Sequence, residues 1–270
     1  MPPGARDRVL VPVDPLGADG AVQVAADVTG TGPTVLLLAG QSLGPETATG
    51  TAADLAGAFR VVVVHTRGTG GSTGGPGPGG WTTATFAADA VAVLDALGVA
   101  RAHVHGFSMG GRVAQVLAAR FPDRVDRLVL GASGPGGAHE VRCEADVART
   151  LRHAASPAGR QGLADLFFTP GWSARHPGTA ARFAPTGSPS VRRAHHGAST
   201  GHDGWDLLPR IAARTLVVHG GDDRLTPPAN GRLLAGRVPG AELVVLDGAR
   251  HGYPAQFRAR TAELLRAFLG

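Results

Sequence analysis

The sequence predicts an α/β protein: a mostly parallel sheet of eight strands with helices on both faces. Three observations predict it. Runs rich in valine and leucine, such as "TVLLL" at 34–38 and "VVVV" at 61–64, show no polar alternation, the mark of strands buried on both faces. Stretches of helical periodicity lie between them, and strands alternating with helices build a parallel sheet. The unusual residues of the chain follow the strand runs, and open α/β sheets bind their ligands beyond the carboxyl ends of the strands.

Each element follows in order. "RVLVPVD" at 8–14 and "AVQVAADV" at 21–28 alternate apolar and polar residues around Ala18-Asp19-Gly20, which reads as a β-hairpin. "TVLLLAG" at 34–40 and "RVVVVHTRG" at 60–68 are the next two strands, and "STGGPGPGG" at 72–80 is a low-complexity loop. The helical "TFAADAVAVLDALG" stops at Gly98, and "GRVAQVLAARFP" stops near Pro122. They flank the strand "RAHVHGFS" at 101–108, and "RLVLGAS" at 127–133 follows. The strands "RTLVVHGGDD" at 214–223 and "ELVVLDGARH" at 242–251 alternate with the helical "PANGRLLAGRVP" and "FRARTAELLRAFLG".

The alternation breaks once. From Gly134 to Trp205 no strand-like run occurs. "EVRCEADVARTLRHAA" places Val141, Ala145, Ala148 and Leu151 on one helical face, while Ser156-Pro157 and Ser188-Pro189 read as helix starts. The expected organisation is a core of residues 1–133 and 206–270 with a helical lid inserted at 134–205.

Composition narrows the class. A chain of 270 residues with 43% hydrophobic and 17% charged residues supports one large globular domain. The first residues carry no apolar run after their charges, and no stretch approaches the ~20 apolar residues of a membrane span, so a cytoplasmic protein with no membrane partner is expected. Cys143 is alone, which excludes an internal disulfide and a multi-cysteine zinc site. All 26 basic residues are arginine, so there is no lysine for a Schiff base or a phosphate loop. The net charge of +5 is spread thinly, with no basic stripe, and no nucleic-acid partner is expected. "RGTGGSTGG" fails the dinucleotide fingerprint because Thr73 stands at its last glycine. His103 and His105 have ligand spacing but no further ligand follows, so they read as bystanders and no metal is expected.

The chemistry centres on Gly106-Phe107-Ser108-Met109-Gly110. This G-x-S-x-G stands between a buried strand and a helix start, where a sharp turn exposes the serine and leaves no room for a Cβ on either glycine. A serine needs a base, and the base needs an orienting acid. His251 lies just past the last strand, and Asp222-Asp223 end the strand before it. A tetrahedral intermediate needs two N–H donors. Met109 after the nucleophile supplies one, and Gln41 in the loop after "TVLLLAG" supplies the other. Phe107, beside the nucleophile, faces the site; Trp172, Phe167 and Phe168 read as lid core or as the lining of an acyl pocket, and His195 as a polar hinge capped by hydrogen bonds or as a substrate contact.

These segments together resemble the α/β-hydrolase superfamily through most of the chain outside the lid. "LAGQ" stands where the family has its His-Gly-x oxyanion segment, with Ala39 in place of the histidine. "TRGTGGS" matches the R-G-x-G-x-S loop, "HGGDDRLTPP" matches H-G-x-x-D-x-x-x-P, and "GARH" matches G-x-x-H. The resemblance implies Asp223, not Asp222, as the acid, with His251 as the base. "LFFTPGWSARHP" is similar to lids of 3-oxoadipate enol-lactonase-like enzymes. The implied activity is hydrolysis of a small to medium hydrophobic ester or lactone through an acyl-enzyme, with no cofactor, by a monomer or homodimer. Carbon–carbon bond hydrolysis, a biosynthetic thioesterase or cyclase, and a ligand-binding protein without turnover are the alternatives.

Overall fold

The computed structural model describes residues 7–14, 22–77, 79–153 and 157–270. Eight strands form one sheet: β1 (Asp7–Asp14), β2 (Val22–Thr29), β3 (Thr34–Leu38), β4 (Arg60–Val64), β5 (Ala102–Phe107), β6 (Val125–Gly131), β7 (Arg214–Gly220) and β8 (Glu242–Leu246). Their order is β1-β2-β4-β3-β5-β6-β7-β8. β2 is antiparallel to both β1 and β4, and every other pair is parallel. The hairpin turn expected at Ala18-Asp19-Gly20, the helix-start residue Ser156 and Pro78 of the low-complexity loop lie outside the described residues.

The strand runs are continuous in sequence because both faces are covered. Successive side chains of a strand point to opposite faces. Leu36, Val62, Val104 and Leu128 enter one core, and Val35, Leu37, Val61, Val63 and Val129 enter the other. The first core is closed by α2 (Thr83–Ala96) and α3 (Met109–Arg120), through Val93, Leu94, Val113 and Leu117. α1 (Thr49–Leu55) covers the second with Leu55. The periodicity does not single out α1, since "TGTAADL" is short and rich in weak helix formers. α2 begins two residues before its apolar pattern because Thr82 and Thr85 form a reciprocal capping box.

Between β6 and β7 lie α4 (Ala145–Arg152), α5 (Pro157–Phe167), α6 (Pro170–Arg175), α7 (Pro177–Ala181) and α8 (Pro189–Thr200). Proline at the first position starts α6, α7 and α8, and the Ser188 hydroxyl caps α8 by accepting from the Val191 N–H. Among the described residues this segment has no core cluster of its own. Val191 and Ala198 join the first core of the sheet, and Leu163, Phe167, Phe168 and Phe183 join the second. The helical face expected at Val141, Ala145, Ala148 and Leu151 does not form. α4 starts only at Ala145, after Glu144; its buried residue is Val147, while Val141 and Leu151 are exposed. The chain closes with α9 (Ala229–Arg237), α10 (Tyr253–Gln256) and α11 (Arg258–Leu269), of which α11 packs Leu265 and Phe268 into the second core.

Candidate active site

β5 passes into α3 through a single residue, Ser108, held at φ 55° and ψ −117°. The glycines on either side are required by contact. A Cβ at Gly106 would lie 2.2 Å from the carbonyl oxygen of Gly110, and one at Gly110 would lie 2.1 Å from that of Leu38. Backbone cannot yield at such distances, so both positions need a bare Cα. The strained serine is secured on three sides. Its N–H donates to Gly131, and its carbonyl accepts from the Gly111 N–H and the Ser133 hydroxyl. Among the described residues, only three that are not glycine have positive φ: Ser42, Ser108 and Ala132. They follow β3, β5 and β6, so the backbone strain among the described residues collects at the carboxyl edge of the sheet, as it does at functional sites.

His251 sits between β8 and α10, buried, with Nδ1–H donating to Asp223 Oδ2 at 2.7 Å. The other carboxylate oxygen accepts the N–H groups of Leu225 and Thr226, each at 2.9 Å. Asp223 is therefore fixed by its own loop before it meets the histidine. Asp222 is exposed. His219 lies 3.7 Å from the same Asp223 oxygen, but its Nε2–H is committed to the Thr226 carbonyl. Burial lowers its pKa, so it adds no competing cation.

Two rings bracket His251. Phe107, next to Ser108, stands 5.1 Å from it between centroids, and Phe167 meets it edge-on at 5.0 Å. Ser108 is brought to this pair through Phe107; no hydrogen bond joins its hydroxyl to His251 among the described residues, and such bonds commonly tighten only on substrate binding. The C-terminal end of α5 is docked on the histidine loop. The His251 and Gly252 N–H groups donate to the carbonyls of Leu166 and Phe167, and the Arg250 guanidinium donates to those of Asp165 and Phe168. The last carbonyls of a helix have no partner within it, so the loop of His251 serves as the cap of α5.

The loop after β3 makes the opposite wall. A turn closed by the Leu43 N–H and the Gly40 carbonyl carries Gln41 and Ser42 at its crest. A Cβ at Gly40 would lie 3.4 Å from the Ser108 Cβ, which puts this turn against the serine. Met109 opens α3, so its N–H has no helical acceptor. The Ser42 N–H is taken by His195 Nδ1 at 3.1 Å. The Gln41 N–H has no protein acceptor among the described residues.

One expected substrate contact, that of His195, needs correction. His195 is completely buried against Trp81 and Phe86, with Nε2 at 2.9 Å from the Arg67 carbonyl. With both nitrogens bonded to backbone, it has none left for a substrate. Trp172 packs on Phe168 and stacks on His176 rather than against His251. The ring that reaches the histidine from this segment is Phe167, which the sequence leaves open between lid core and pocket lining. Its only signal is its place one residue before Phe168 in "LFF". Arg250 was legible only as the residue before the base. Arg67 donates from Nε and Nη2 to the two carboxylate oxygens of Asp89, each at 2.7 Å, which gives the "TRGTGGS" loop a structural part. His103 and His105 stay apart from any cluster of metal-ligating residues among those described.

Comparison with known proteins shows the family. Residues 33–253 match the α/β hydrolase fold family. The chain is 32% identical over 203 residues to the protein named "Putative carbamate hydrolase RutD" of Stutzerimonas stutzeri, covering 72% of this chain and 75% of the relative. It is 30% identical over 206 residues to the 2-hydroxymuconate semialdehyde hydrolase of Pseudomonas putida, covering 72% and 71%. The solved enol-lactonase of Burkholderia xenovorans LB400 superposes with a TM-score of 0.79 at 28% identity, covering 94% of this chain and 98% of that one. No helix among the described residues is long and apolar enough to cross a membrane. A buried-strand sheet carrying a serine on a strained strand-to-helix turn, and these likenesses along most of its length, identify the chain as an enzyme, a hydrolase of the α/β-hydrolase superfamily.

Proposed function

We propose that the protein cleaves a small to medium hydrophobic carboxylic ester or lactone through an acyl-enzyme on Ser108. His251 takes the serine proton and returns it to the leaving group. Asp223 keeps the proton of the resting imidazole on Nδ1 and offsets the charge that forms during attack. The N–H groups of Met109 and Gln41 receive the developing oxyanion. The observation that carries the reading is the pairing of a strained, partly exposed serine with a buried histidine–carboxylate couple 2.7 Å apart, joined to it by Phe107.

The aromatic walls, Phe107 and Phe167, favour an apolar acyl group, and residues 134–205 act as a lid above it. Among the solved neighbours are an enol-lactonase and a thermophilic esterase from Thermogutta terrifontis, which supports carbonyl–oxygen cleavage. A fluorophosphonate probe tests the reading directly. It should label Ser108 in the wild-type protein and leave Ser108→Ala unlabelled. A folded wild type that is not labelled refutes it. Turnover of p-nitrophenyl esters, lactones, acyl thioesters and a β-diketone then separates ester cleavage from thioester and carbon–carbon cleavage.

A further inference from the structure

The turn that presents Gln41 is not self-supporting. Ser42 occupies its third position with φ 55°, where glycine or asparagine is the usual occupant. A serine there is strained, and such strain persists only where surrounding contacts over-determine it. Those contacts all come from the segment between β6 and β7. The Ser42 N–H donates to His195 Nδ1 at 3.1 Å. The Ser42 carbonyl accepts the Thr186 N–H at 2.7 Å and the Thr186 hydroxyl at 3.1 Å. Both polar backbone groups of the strained residue are thus held from outside its own loop.

The geometry also fixes the protonation of His195. Nε2 faces a carbonyl, that of Arg67, and must donate; Nδ1 faces an N–H and must accept. That is the neutral imidazole. Burial favours it as well, by lowering the pKa. The Arg67 carbonyl is itself steady, because the Arg67 side chain is bound through Nε and Nη2 to Asp89 on α2, with both partners buried. A rigid path therefore runs from α2 through Arg67 and His195 to the Ser42 N–H, one residue from the Gln41 N–H.

We infer that His195 is a positioning residue of the oxyanion hole: by accepting the Ser42 N–H it holds the strained turn that aims the Gln41 N–H at the reacting carbonyl. The inference rests on the acyl-enzyme reading above. It assigns His195 a part without substrate contact, and it makes the lid segment a structural member of the site. A donor aimed where charge develops acts on the transition state more than on the bound substrate, so its misplacement lowers kcat and spares KM.

The test uses three variants of the full chain, with kcat for p-nitrophenyl butyrate expressed per fluorophosphonate-titrated site, so that a change in the folded fraction does not register. His195→Leu removes the acceptor and should lower kcat by about 10²-fold, with KM within about threefold of wild type. Inhibition by phenylboronic acid, which forms a tetrahedral adduct, should weaken by a similar factor. His195→Asn restores an acceptor near the Nδ1 position, and should recover kcat to within about tenfold of wild type. Thr186→Val removes one bond to the Ser42 carbonyl at nearly constant volume, and remains informative if His195→Leu fails to fold. It should lower kcat about three- to tenfold at unchanged KM. Wild-type kcat per site in both the Leu and Val variants, an equal fall for the Leu and Asn variants, or a loss confined to KM would overturn the role of His195. A wild-type protein that does not label at Ser108 would overturn the acyl-enzyme reading itself.

Discussion

Replacing Asp223 by asparagine gives a sharp test of the triad, because the structure dictates which way the new amide must face. Oδ1 of Asp223 accepts two backbone N–H groups, from Leu225 and Thr226, at 2.9 Å each. An amide oxygen can accept both, whereas an amide NH2 would meet them donor to donor. The NH2 is therefore forced into the place of Oδ2, 2.7 Å from His251 Nδ1, and donates to it. The imidazole must then carry its proton on Nε2, the nitrogen that has to take the proton of Ser108. We expect kcat to fall roughly 10³- to 10⁴-fold, about 4–5.5 kcal/mol of transition-state stabilisation, as loss of the acid does in other triads. Thermal stability should change little, since the Oδ1 bonds survive. Asp222→Asn alters an exposed side chain, and should cost at most about tenfold. The assay is kcat for p-nitrophenyl butyrate in both variants, beside a thermal unfolding scan. A larger loss for the 222 variant, or a 223 variant within about tenfold of wild type, would refute the reasoning.

Three further outcomes follow from the same contacts. Burial lowers the pKa of His105 to about 4 and, with the nearby Arg112 charge, that of His202 to about 3. An unfolded histidine titrates near ~6.5, so between pH 7 and 4.5 the unfolded chain gains protons that the folded one refuses, and stability falls by about 2.5 kcal/mol for each histidine; urea unfolding at the two pH values checks this, and equal stabilities would refute it. Gly106→Ala drives a Cβ to 2.2 Å from the Gly110 carbonyl oxygen and should cost more than about 3 kcal/mol and abolish activity; a wild-type melting temperature would contradict the contact. Arg250→Met removes the charged donor from the Asp165 and Phe168 carbonyls at the end of α5 and should lower stability by about 2 kcal/mol, read by urea unfolding and refuted by an unchanged midpoint.

The sequence by itself determines the sheet, the serine turn and the order of the acid and base segments. These are local matters. A strand buried on both faces must be apolar at every position, as Val61 to Val64 are. The crowding at Gly106 is settled within five residues, because a Cβ there would meet the Gly110 backbone, whereas that at Gly110 comes from Leu38 on the neighbouring strand. What covers the site, and what holds it, is decided by tertiary structure. Ser42 and His195 are 153 residues apart in the chain, and nothing in either neighbourhood marks them as partners. Histidine serves equally as ligand, base or strut, and only the carbonyl at Nε2 and the N–H at Nδ1 make this one a strut. The same holds for α5. Its periodicity announces a helix but not that its last carbonyls would be capped by Arg250, His251 and Gly252, which sets Phe167 rather than Trp172 against the histidine. Short helices such as α4 are the least legible, because a stripe drawn through Val141 and Leu151 assumes a starting point that the chain does not use. Local geometry is written in adjacent residues; partners joined across the fold are chosen by packing, after the chain has closed its long loops.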